Sequence, residues 1–210
     1  MWKSLKRKVY TILIPFIRLK RMIAWKWYLA SAKEINLVVG AGGTAFPGWF
    51  STDIDTLDLT KESDFERYFR DKKINRVLAE HVLEHLTEQE ILTALRLIHK
   101  YSSFDVTIRI AVPDGFHSDP VYINKVKPGG TGSGAHDHKH LFTYLSMIEL
   151  FYKAGFTGNP VEYFDEHGKF HQGYTHDDKG YVSRSFINDD RNKSGMPLYT
   201  SLIIDFTKVE

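Results

Sequence analysis

A short apolar run that breaks at glycines, within residues 35–53, constrains the fold of this chain more than any other segment. The run INLVV stops at Gly40, with Gly42 and Gly43 close behind, and a second short run ends at Asp53. A buried strand that stops at glycines lets the backbone come close to a ligand, because no Cβ stands in the way. An acid at the end of the next strand can accept hydrogen bonds from ribose hydroxyls. The segment therefore predicts a nucleotide-type site at the carboxyl ends of a parallel sheet.

The spacing between the glycines and the acid argues against a dinucleotide. Gly40, Gly42 and Ala45 match the pattern G-x-G-x-x-G/A, which is a weak signal by itself. A dinucleotide fold needs a whole crossover helix, roughly 20 residues, between the glycines and the acid. Here Asp53 follows the glycines too closely for such a helix, and a Pro-Gly pair lies between them. We therefore disfavour NAD as the ligand.

The composition is that of one ordinary globular domain. The chain has 210 residues, of which 42% are hydrophobic and 26% are charged, enough for one core and too few for two comfortable domains. It contains no cysteine, which excludes disulfides, thiolate nucleophiles, iron–sulfur clusters and zinc–thiolate sites. A reducing cytoplasm fits this composition.

A basic arm, residues 1–33, precedes an acidic body, residues 34–210. Nine of the 28 Lys and Arg residues lie in the arm, and all 26 Asp and Glu residues lie in the body. The longest uncharged run of the arm, Val9–Ile17, is far shorter than the roughly 20 residues that span a bilayer. Two interpretations follow: a segment lying on anionic lipid, or a basic helix packed on the body, which is slightly favoured. The acidic body argues against nucleic acid as a partner.

Strand-like and helix-like segments alternate along the first two-thirds of the body. This alternation predicts a mostly parallel sheet covered on both faces, with antiparallel strands added near the end of the chain. A capping box at Thr87 and Glu90 predicts the start of one helix, and Gly155 predicts the end of another. Two long polar loops, at about 113–142 and 165–197, are expected to be functional. The predicted strands are 35–39, 49–53, 75–79, 105–112, 160–164 and 198–207, and the predicted helices are 62–70, 87–100 and 143–154.

The segment LAEHVLEHL, residues 78–86, places polar side chains at a predicted strand end. Glu80 and His81 should emerge where ligands of open α/β sheets bind. Glu84 and His85 follow one helical turn later, and we interpret them as a solvated helix start. The spacing of His81 and His85 resembles a helical zinc pair. However, the sequence is HVLEH rather than HExxH, and no third ligand lies nearby, so we expect no zinc here.

Together these motifs resemble class I S-adenosylmethionine-dependent methyltransferases. The resemblance is carried by VVGAGGT, Pro47-Gly48-Trp49, STDID and HVLEHL, and continues through VPDGFHSDPVYINKVKPGGTG, DHKHLFTY, EYFDEHGKF and RSFINDDRN to YTSLIIDFTK. It covers about residues 35–208 and leaves the basic arm outside. The chain is most similar to the predicted methyltransferases of bacterial surface-polysaccharide gene clusters.

The resemblance implies a Rossmann-like α/β fold, with a mostly parallel seven-stranded sheet, helices on both faces and S-adenosyl-L-methionine as cofactor. Two departures stand out: Val38 lies where the class often has an acid or Asn, and Tyr101-Ser102-Ser103-Phe104 replaces the usual Lys-Pro-Gly-Gly turn. By motif, the implied cofactor-binding residues are Gly40, Ala41 and Gly42 at the methionine part and ribose, Asp53 at the ribose hydroxyls, Asp58 near the adenine, and Glu80 and His81 on the methyl-donor side.

The acceptor side is expected in the two long loops. A hydroxyl acceptor needs alignment and a base that works near neutral pH, which histidine provides. We expect His138, flanked by Asp137, to be the base, with Asp114 and His117 supporting it. A metal site built from His117, His136, His138, His140 and carboxylates is a second option. The second long loop contains five further candidates, which could bind a sugar or an anionic acceptor or could equally pair with one another as structural ties: Arg184, Asp189, Asp190, Arg191 and Asn192.

The sequence thus favours a cytoplasmic enzyme that O-methylates a sugar of a surface polysaccharide or its precursor. Its partner would be a small-molecule or glycan acceptor, with peripheral contact at the inner face of the membrane through residues 1–33. Whether the chain forms a homo-oligomer stays open. The rival interpretation is a catalytically silent domain that keeps this fold and acts as a partner of a glycosyltransferase.

Overall fold

Seven strands form one sheet in the computed structural model, which describes the backbone of residues 2–209 and the side chains of residues 13–209. The strands are β1 (Ile35–Val39), β2 (Phe50–Ser51), β3 (Ile74–Glu80), β4 (Ser102–Pro113), β5 (Phe156–Phe164), β6 (Phe170–Gln172) and β7 (Ser201–Lys208). The α-helices are α1 (Trp2–Ser31), α2 (Glu62–Tyr68), α3 (Glu88–Tyr101), α4 (Pro120–Val126) and α5 (Tyr144–Tyr152). Short 3₁₀ turns span Leu83–His85, Ala135–Asp137 and Asp190–Asn192.

The strand order is β2-β1-β3-β4-β7-β5-β6. The strands β2, β1, β3 and β4 run parallel to one another, whereas β7 is antiparallel to both β4 and β5, and β6 is antiparallel to β5. The predicted Rossmann-like α/β fold is confirmed. The sheet is less parallel than expected, because β7 inserts between β4 and β5.

The order of the strands reverses at β1. The chain leaves β1 for β2 on one side and returns to β3 on the other. Ligands of open α/β sheets bind in the crevice at such a switch point, beyond the carboxyl ends of the strands. This topology brings the glycine turn after β1 next to Glu80 and His81 after β3.

One face of the sheet carries the main core. Alternate strand residues such as Leu37, Val77 and Ile110 are buried there against Phe65 of α2 and Phe151 of α5. Period-two alternation directs the intervening residues to the opposite face. The capping box at Thr87 is present as predicted and starts α3.

The opposite face is covered by a loop. Its buried cluster joins Val38, Leu78 and Ile203 of the sheet to Tyr174 and Val182 of the late loop, residues 173–200. The sequence predicted helices on both faces, and here the late loop packs where a helix was expected. Two further elements were not predicted, the short strand β6 and the helix α4, which begins at Pro120 after the N-cap Asp119.

A buried arginine fixes the late loop to this face. Arg109 of β4 is 1% exposed and lies opposite Asp205 of β7 in the ladder. Its guanidinium makes paired hydrogen bonds to the carboxylate of Asp205, at 2.7 and 2.9 Å, and to that of Asp177, at 2.7 and 2.9 Å. It also donates to the carbonyl of Gly180 at 2.9 Å. Planar, bidentate pairing of this kind is both strong and geometrically specific.

The second half of α1 packs on the sheet edge. Trp25 is buried, stacks edge-on against Phe50 and Tyr68, and donates from Nε1 to the carbonyl of Tyr68 at 3.3 Å. The hydroxyl of Tyr28 accepts from the backbone N–H of Asn36 at 2.8 Å. The favoured interpretation of a helix packed on the body therefore holds for this half. The side chains of residues 1–12 lie outside the described part of the chain.

No helix among the described residues combines the length and apolarity that crossing a bilayer would require.

Glu162 should make stability depend on pH. It is fully buried in β5, its Oε1 accepts from the N–H of Phe186 at 2.8 Å, and burial raises its pKa to about 8. The pKa of Glu162 in the folded state lies above its unfolded value of about 4.3. The contribution of Glu162 to the free energy of unfolding is therefore complete below that value and is lost as pH rises through 8. We expect the free energy of unfolding to fall with a slope of up to about 1.4 kcal/mol per pH unit in this window.

Glu162→Gln keeps an acceptor for Phe186 and should remove most of this slope in urea titrations between pH 5 and 8. Asp114, whose pKa burial raises to about 6, accounts for the remainder. Glu149→Gln, at a side chain that is 72% exposed, is the matched control and should leave the slope unchanged. An unaltered slope in Glu162→Gln would contradict the assignment.

Candidate functional site

The first cavity, which we call the glycine cavity, opens at the carboxyl ends of β1 and β3. It has a volume of about 280 Å³ and is lined by Gly40, Gly42, Thr44, Glu80 and Arg184 among others. Gly40 and Gly42 have φ values of +58° and +54°, in the left-handed region that favours glycine. The turn is also closely packed, since a Cβ on Gly40 would lie 2.6 Å from Cγ2 of Val82.

Asp53 supports this turn from the end of β2. Its Oδ1 accepts a hydrogen bond from the N–H of Gly42 at 2.9 Å, and its Oδ2 lies 3.9 Å from Nη2 of Arg21 on α1. Arg21 also donates to the carbonyl of Ser51 at 3.1 Å. The acid predicted to bind ribose hydroxyls therefore lies beside the glycines, and the basic helix α1 reaches the same corner.

The second cavity, the apolar cavity, lies next to the first and shares Gly40 and His81 with it. Its volume is about 260 Å³, and its remaining lining is mostly aliphatic: Ile54, Leu57, Leu59, Val82 and Leu86. Asp58 lies on its polar side, where its Oδ1 accepts from the N–H of Thr60 at 3.0 Å and from its hydroxyl at 2.7 Å. An apolar slot with few polar groups suits a flat ring system.

Glu80 ties the late loop across the glycine cavity. Its two carboxylate oxygens accept from the N–H groups of Ser183, at 3.2 Å, and Arg184, at 2.8 Å. The two partners are more than a hundred residues further along the chain. The loop that covers the open face of the sheet thus also forms one wall of the site.

His81 stands at the junction of the cavities. It has a φ of +56°, which is uncommon for a residue other than glycine and marks strain of the kind found at functional sites. Its backbone N–H donates to the carbonyl of Ala111. In its ring, Nδ1 lies 2.8 Å from Oε1 of Glu84 and Nε2 lies 3.2 Å from Oγ of Ser201. The ring therefore has a fixed position between the first two cavities and the third.

The third cavity, the histidine cavity, has a volume of about 220 Å³. Glu84, His85, His138, Arg184 and Tyr199 are among its lining residues. Glu84 is fully buried, so the interpretation of this segment as a solvated helix start is wrong for Glu84. His138 donates from Nδ1 to the carbonyl of Val126 at 2.7 Å, which leaves Nε2 as the nitrogen with a free lone pair.

The two residues expected to support His138 lie elsewhere. Asp114 is fully buried, and its carboxylate accepts from the N–H groups of Phe116 and Phe164 at 2.9 and 2.7 Å. His117 donates from Nε2 to the carbonyl of Pro197 at 3.0 Å and accepts at Nδ1 from the N–H of Asp119. Burial lowers the pKa of His117. Their polar atoms hold the loops together, and neither residue lines a described cavity.

The candidate residues of the late loop also differ in whether they reach a cavity. In the late loop, Arg191 pairs with Asp189 and lies 3.4 Å from the ring centroid of Tyr199, while Asn192 is buried against backbone groups. Within this set, the side chains of Asp189 and Arg191 pair with each other, and Arg184 is the member that reaches the cavities.

Sequence reasoning missed that Glu84, His85 and His138 come together. The HVLEH spacing was a usable signal for two of them. The third residue, His138, lies in a loop more than fifty positions later, and nothing in the local sequence pattern predicts that contact.

The sequence matches no family model, and no curated protein matches it. Similar solved structures include a SAM-dependent methyltransferase from Archaeoglobus fulgidus, with 16% identity, coverage of 90% of this chain and 94% of that chain, and a TM-score of 0.47. Another from Mesorhizobium loti has 10% identity, coverage of 88% and 96%, and a TM-score of 0.48. LepI in complex with SAM has 10% identity and a TM-score of 0.45; the match covers 90% of this chain but only 40% of LepI. These similarities are too distant to carry a function to this chain.

Glu80→Ala should release the late loop from the site. Hydrogen bonds to a charged group contribute about 1.5–3 kcal/mol, so the amides of Ser183 and Arg184 should exchange with solvent roughly 10- to 100-fold faster. Hydrogen exchange followed by NMR measures this. The amide of Met147 in α5, which donates to the carbonyl of Thr143, is the internal control. Equal protection in both proteins would show that Glu80 does not hold the loop.

Proposed function

We propose that this chain is an S-adenosyl-L-methionine-dependent methyltransferase that methylates a hydroxyl group of a sugar in a surface polysaccharide or its precursor. The observation that supports the proposal is the glycine turn at the switch point of the sheet. Asp53, next to this turn, accepts a hydrogen bond from the N–H of Gly42. This arrangement suits a nucleoside whose ribose lies over the ends of β1 and β2.

The first two cavities fit a cofactor with one polar end and one flat end. The glycine cavity offers backbone groups around Gly40 and Gly42 to an amino-acid part, and the apolar cavity offers aliphatic walls to an adenine ring. Asp53 lies at the rim near both, where ribose hydroxyls would be. When bound, this cofactor supplies a methyl group carried on a positively charged sulfur.

The histidine cavity is the proposed acceptor site, because His81 separates it from the cofactor cavities by one side chain. Arg184 and Tyr199 offer hydrogen-bonding groups that suit an acceptor with several hydroxyls. His138 remains the predicted base, since it lines this cavity and the carbonyl of Val126 engages only its Nδ1. Asp114 and His117 are left out of the proposal because backbone groups occupy their polar atoms.

The rival function is a silent domain that binds a glycosyltransferase. A silent scaffold has no need of the acid–glycine contact at Asp53 or of the left-handed glycines, and both are present. Cofactor binding and turnover separate the two possibilities.

We also propose that α1 contacts an anionic membrane surface. The side of α1 that points away from the body is apolar, with Phe16, Ile23 and Trp27 exposed by 68%, 50% and 74%. Lys20 and Lys26 are exposed on the same helix. An apolar stripe with flanking lysines is the pattern of a helix that lies in the plane of a bilayer. This contact would keep the enzyme at the inner face of the membrane, near lipid-linked glycan precursors.

Asp53→Ala should weaken binding of S-adenosyl-L-methionine by about 1–3 kcal/mol, because ribose donors would be left unpaired. Isothermal titration calorimetry on the folded proteins measures it. Asp178→Ala, at a carboxylate whose side chain is 73% exposed and pairs with Arg76, is the matched control. Methyl transfer from labelled cofactor to nucleotide-linked and lipid-linked sugars then tests the acceptor class. Binding without transfer to any hydroxyl would favour the silent domain, and binding of NADH instead would refute the class.

The intact protein should pellet with vesicles that contain phosphatidylglycerol, less with pure phosphatidylcholine, and less again as salt rises. Replacing both Phe16 and Trp27 by Ser should reduce pelleting several-fold. Tyr152→Ser, at an aromatic residue of α5 that is 68% exposed, should not. If the double variant pellets like the wild type, α1 is not the membrane contact.

A further inference from the structure

Three potential ligands meet in the histidine cavity. Glu84 and His85 come from the 3₁₀ turn after β3, and His138 follows the turn Ala135–Asp137. One ligand atom from each lies within 4.8 Å of the others. These residues come from two separate segments, so the cluster is a product of the tertiary fold rather than of one local motif.

Glu84 supplies a second, independent observation. It is fully buried, and its Oε2 has no hydrogen-bond partner among the described residues. Its Oε1 is occupied by the ring of His81, at 2.8 Å from Nδ1. A buried carboxylate oxygen without a partner is costly. Since Glu84 belongs to the cavity lining, a cation in the cavity would compensate this oxygen.

The surroundings of the two histidines suit metal ligation. The carbonyl of Val126 holds the Nδ1–H of His138 at 2.7 Å and directs the lone pair to Nε2. Asp137 Oδ1 lies 3.1 Å from Nδ1 of His85, a buried nitrogen that has no well-formed hydrogen bond among the described residues. Metal-ligating histidines commonly have a carbonyl or carboxylate partner on the second ring nitrogen, which fixes the tautomer and the ring orientation.

We propose that Glu84, His85 and His138 bind one divalent transition-metal cation, of the Zn²⁺ type. Two imidazoles and one carboxylate are a donor set that Zn²⁺ and its neighbours accept, whereas Mg²⁺ prefers oxygen ligands throughout. Three protein ligands leave at least one coordination position open towards the cavity.

The open coordination position could take part in the methyl transfer. This step of the inference rests on the proposed function. Hydroxyl oxygens of an acceptor could occupy the open position, and a coordinated hydroxyl is more acidic than a free one. The cation would lower the pKa of the coordinated hydroxyl, so that its proton could pass to water, and the lone pair of His138, committed to ligation, would not be needed as the base. The cavity would favour acceptors with neighbouring hydroxyl groups, as sugars have.

Binding of Zn²⁺ alone tests the site without any methyl acceptor. The protein is stripped with a chelator, dialysed, and titrated with Zn²⁺ by calorimetry, with metal content after desalting measured by mass spectrometry. We expect one equivalent per chain. Glu84→Gln and His138→Ala should each weaken binding at least tenfold. His136→Ala, an exposed histidine two positions away that is not part of the cluster, should bind as the wild type does.

Circular dichroism checks that each variant is folded. If Glu84→Gln does not fold, His85→Ala, at a partly exposed side chain, replaces it as a test of the cluster. Co²⁺ in place of Zn²⁺ adds a visible spectrum that reports nitrogen and oxygen ligands directly. Absence of stoichiometric binding, or binding that all three cluster variants retain, overturns the proposal. If His138→Ala loses turnover while the wild type binds no cation, the cation site is refuted and His138 stays the predicted base. Failure of methyl transfer leaves the binding result unaffected, so the two proposals fail separately.

Discussion

The buried guanidinium of Arg109 holds together two parts of the molecule that would otherwise separate. It joins Asp205, its cross-strand neighbour, to Asp177 and Gly180 of the late loop. Breaking one member of a buried ion pair typically costs about 3–5 kcal/mol, because the remaining charges stay desolvated. The late loop is thereby fixed over a face of the sheet that carries apolar residues and needs a cover. The position of the candidate site follows from this, since the same loop continues to Ser183 and Arg184.

The polar groups near the strand ends divide into two kinds. The side-chain oxygens of Asp114 and the ring nitrogens of His117 all bond to backbone groups, so these two residues link loops to one another. Glu84 and His138 each keep one atom without a protein partner, and both line a cavity. Chemistry at a site needs atoms of the second kind. Residue type alone does not separate the two, because both kinds contain an acid and a histidine.

Local patterns in the sequence were sufficient for the framework. The apolar run before Gly40, the capping box at Thr87 and the glycine at position 155 each depend on neighbours a few residues away, and the structure has the expected elements there. These are the features that hydrogen-bonding geometry and side-chain periodicity determine on their own.

The parts that escaped prediction depend on contacts between distant segments. The burial of Glu84 and the late loop over the open face both require residues far apart in the chain to meet. The Asp119-Pro120 pair that starts α4 was a local signal, and it was overlooked within a segment assigned as loop.

The central position of β7 has a consequence for how the protein forms in the cell. This strand is the last described element to be synthesised, yet it lies between β4 and β5, two strands made long before it. Until it leaves the ribosome, β4 has no partner on that side, and the late loop has no anchor at Asp205. The cavities therefore cannot take their final shape before β7 is available, however early the glycine turn folds. The edge of β4 must stay protected until β7 pairs with it, which favours slow, late closure of the sheet.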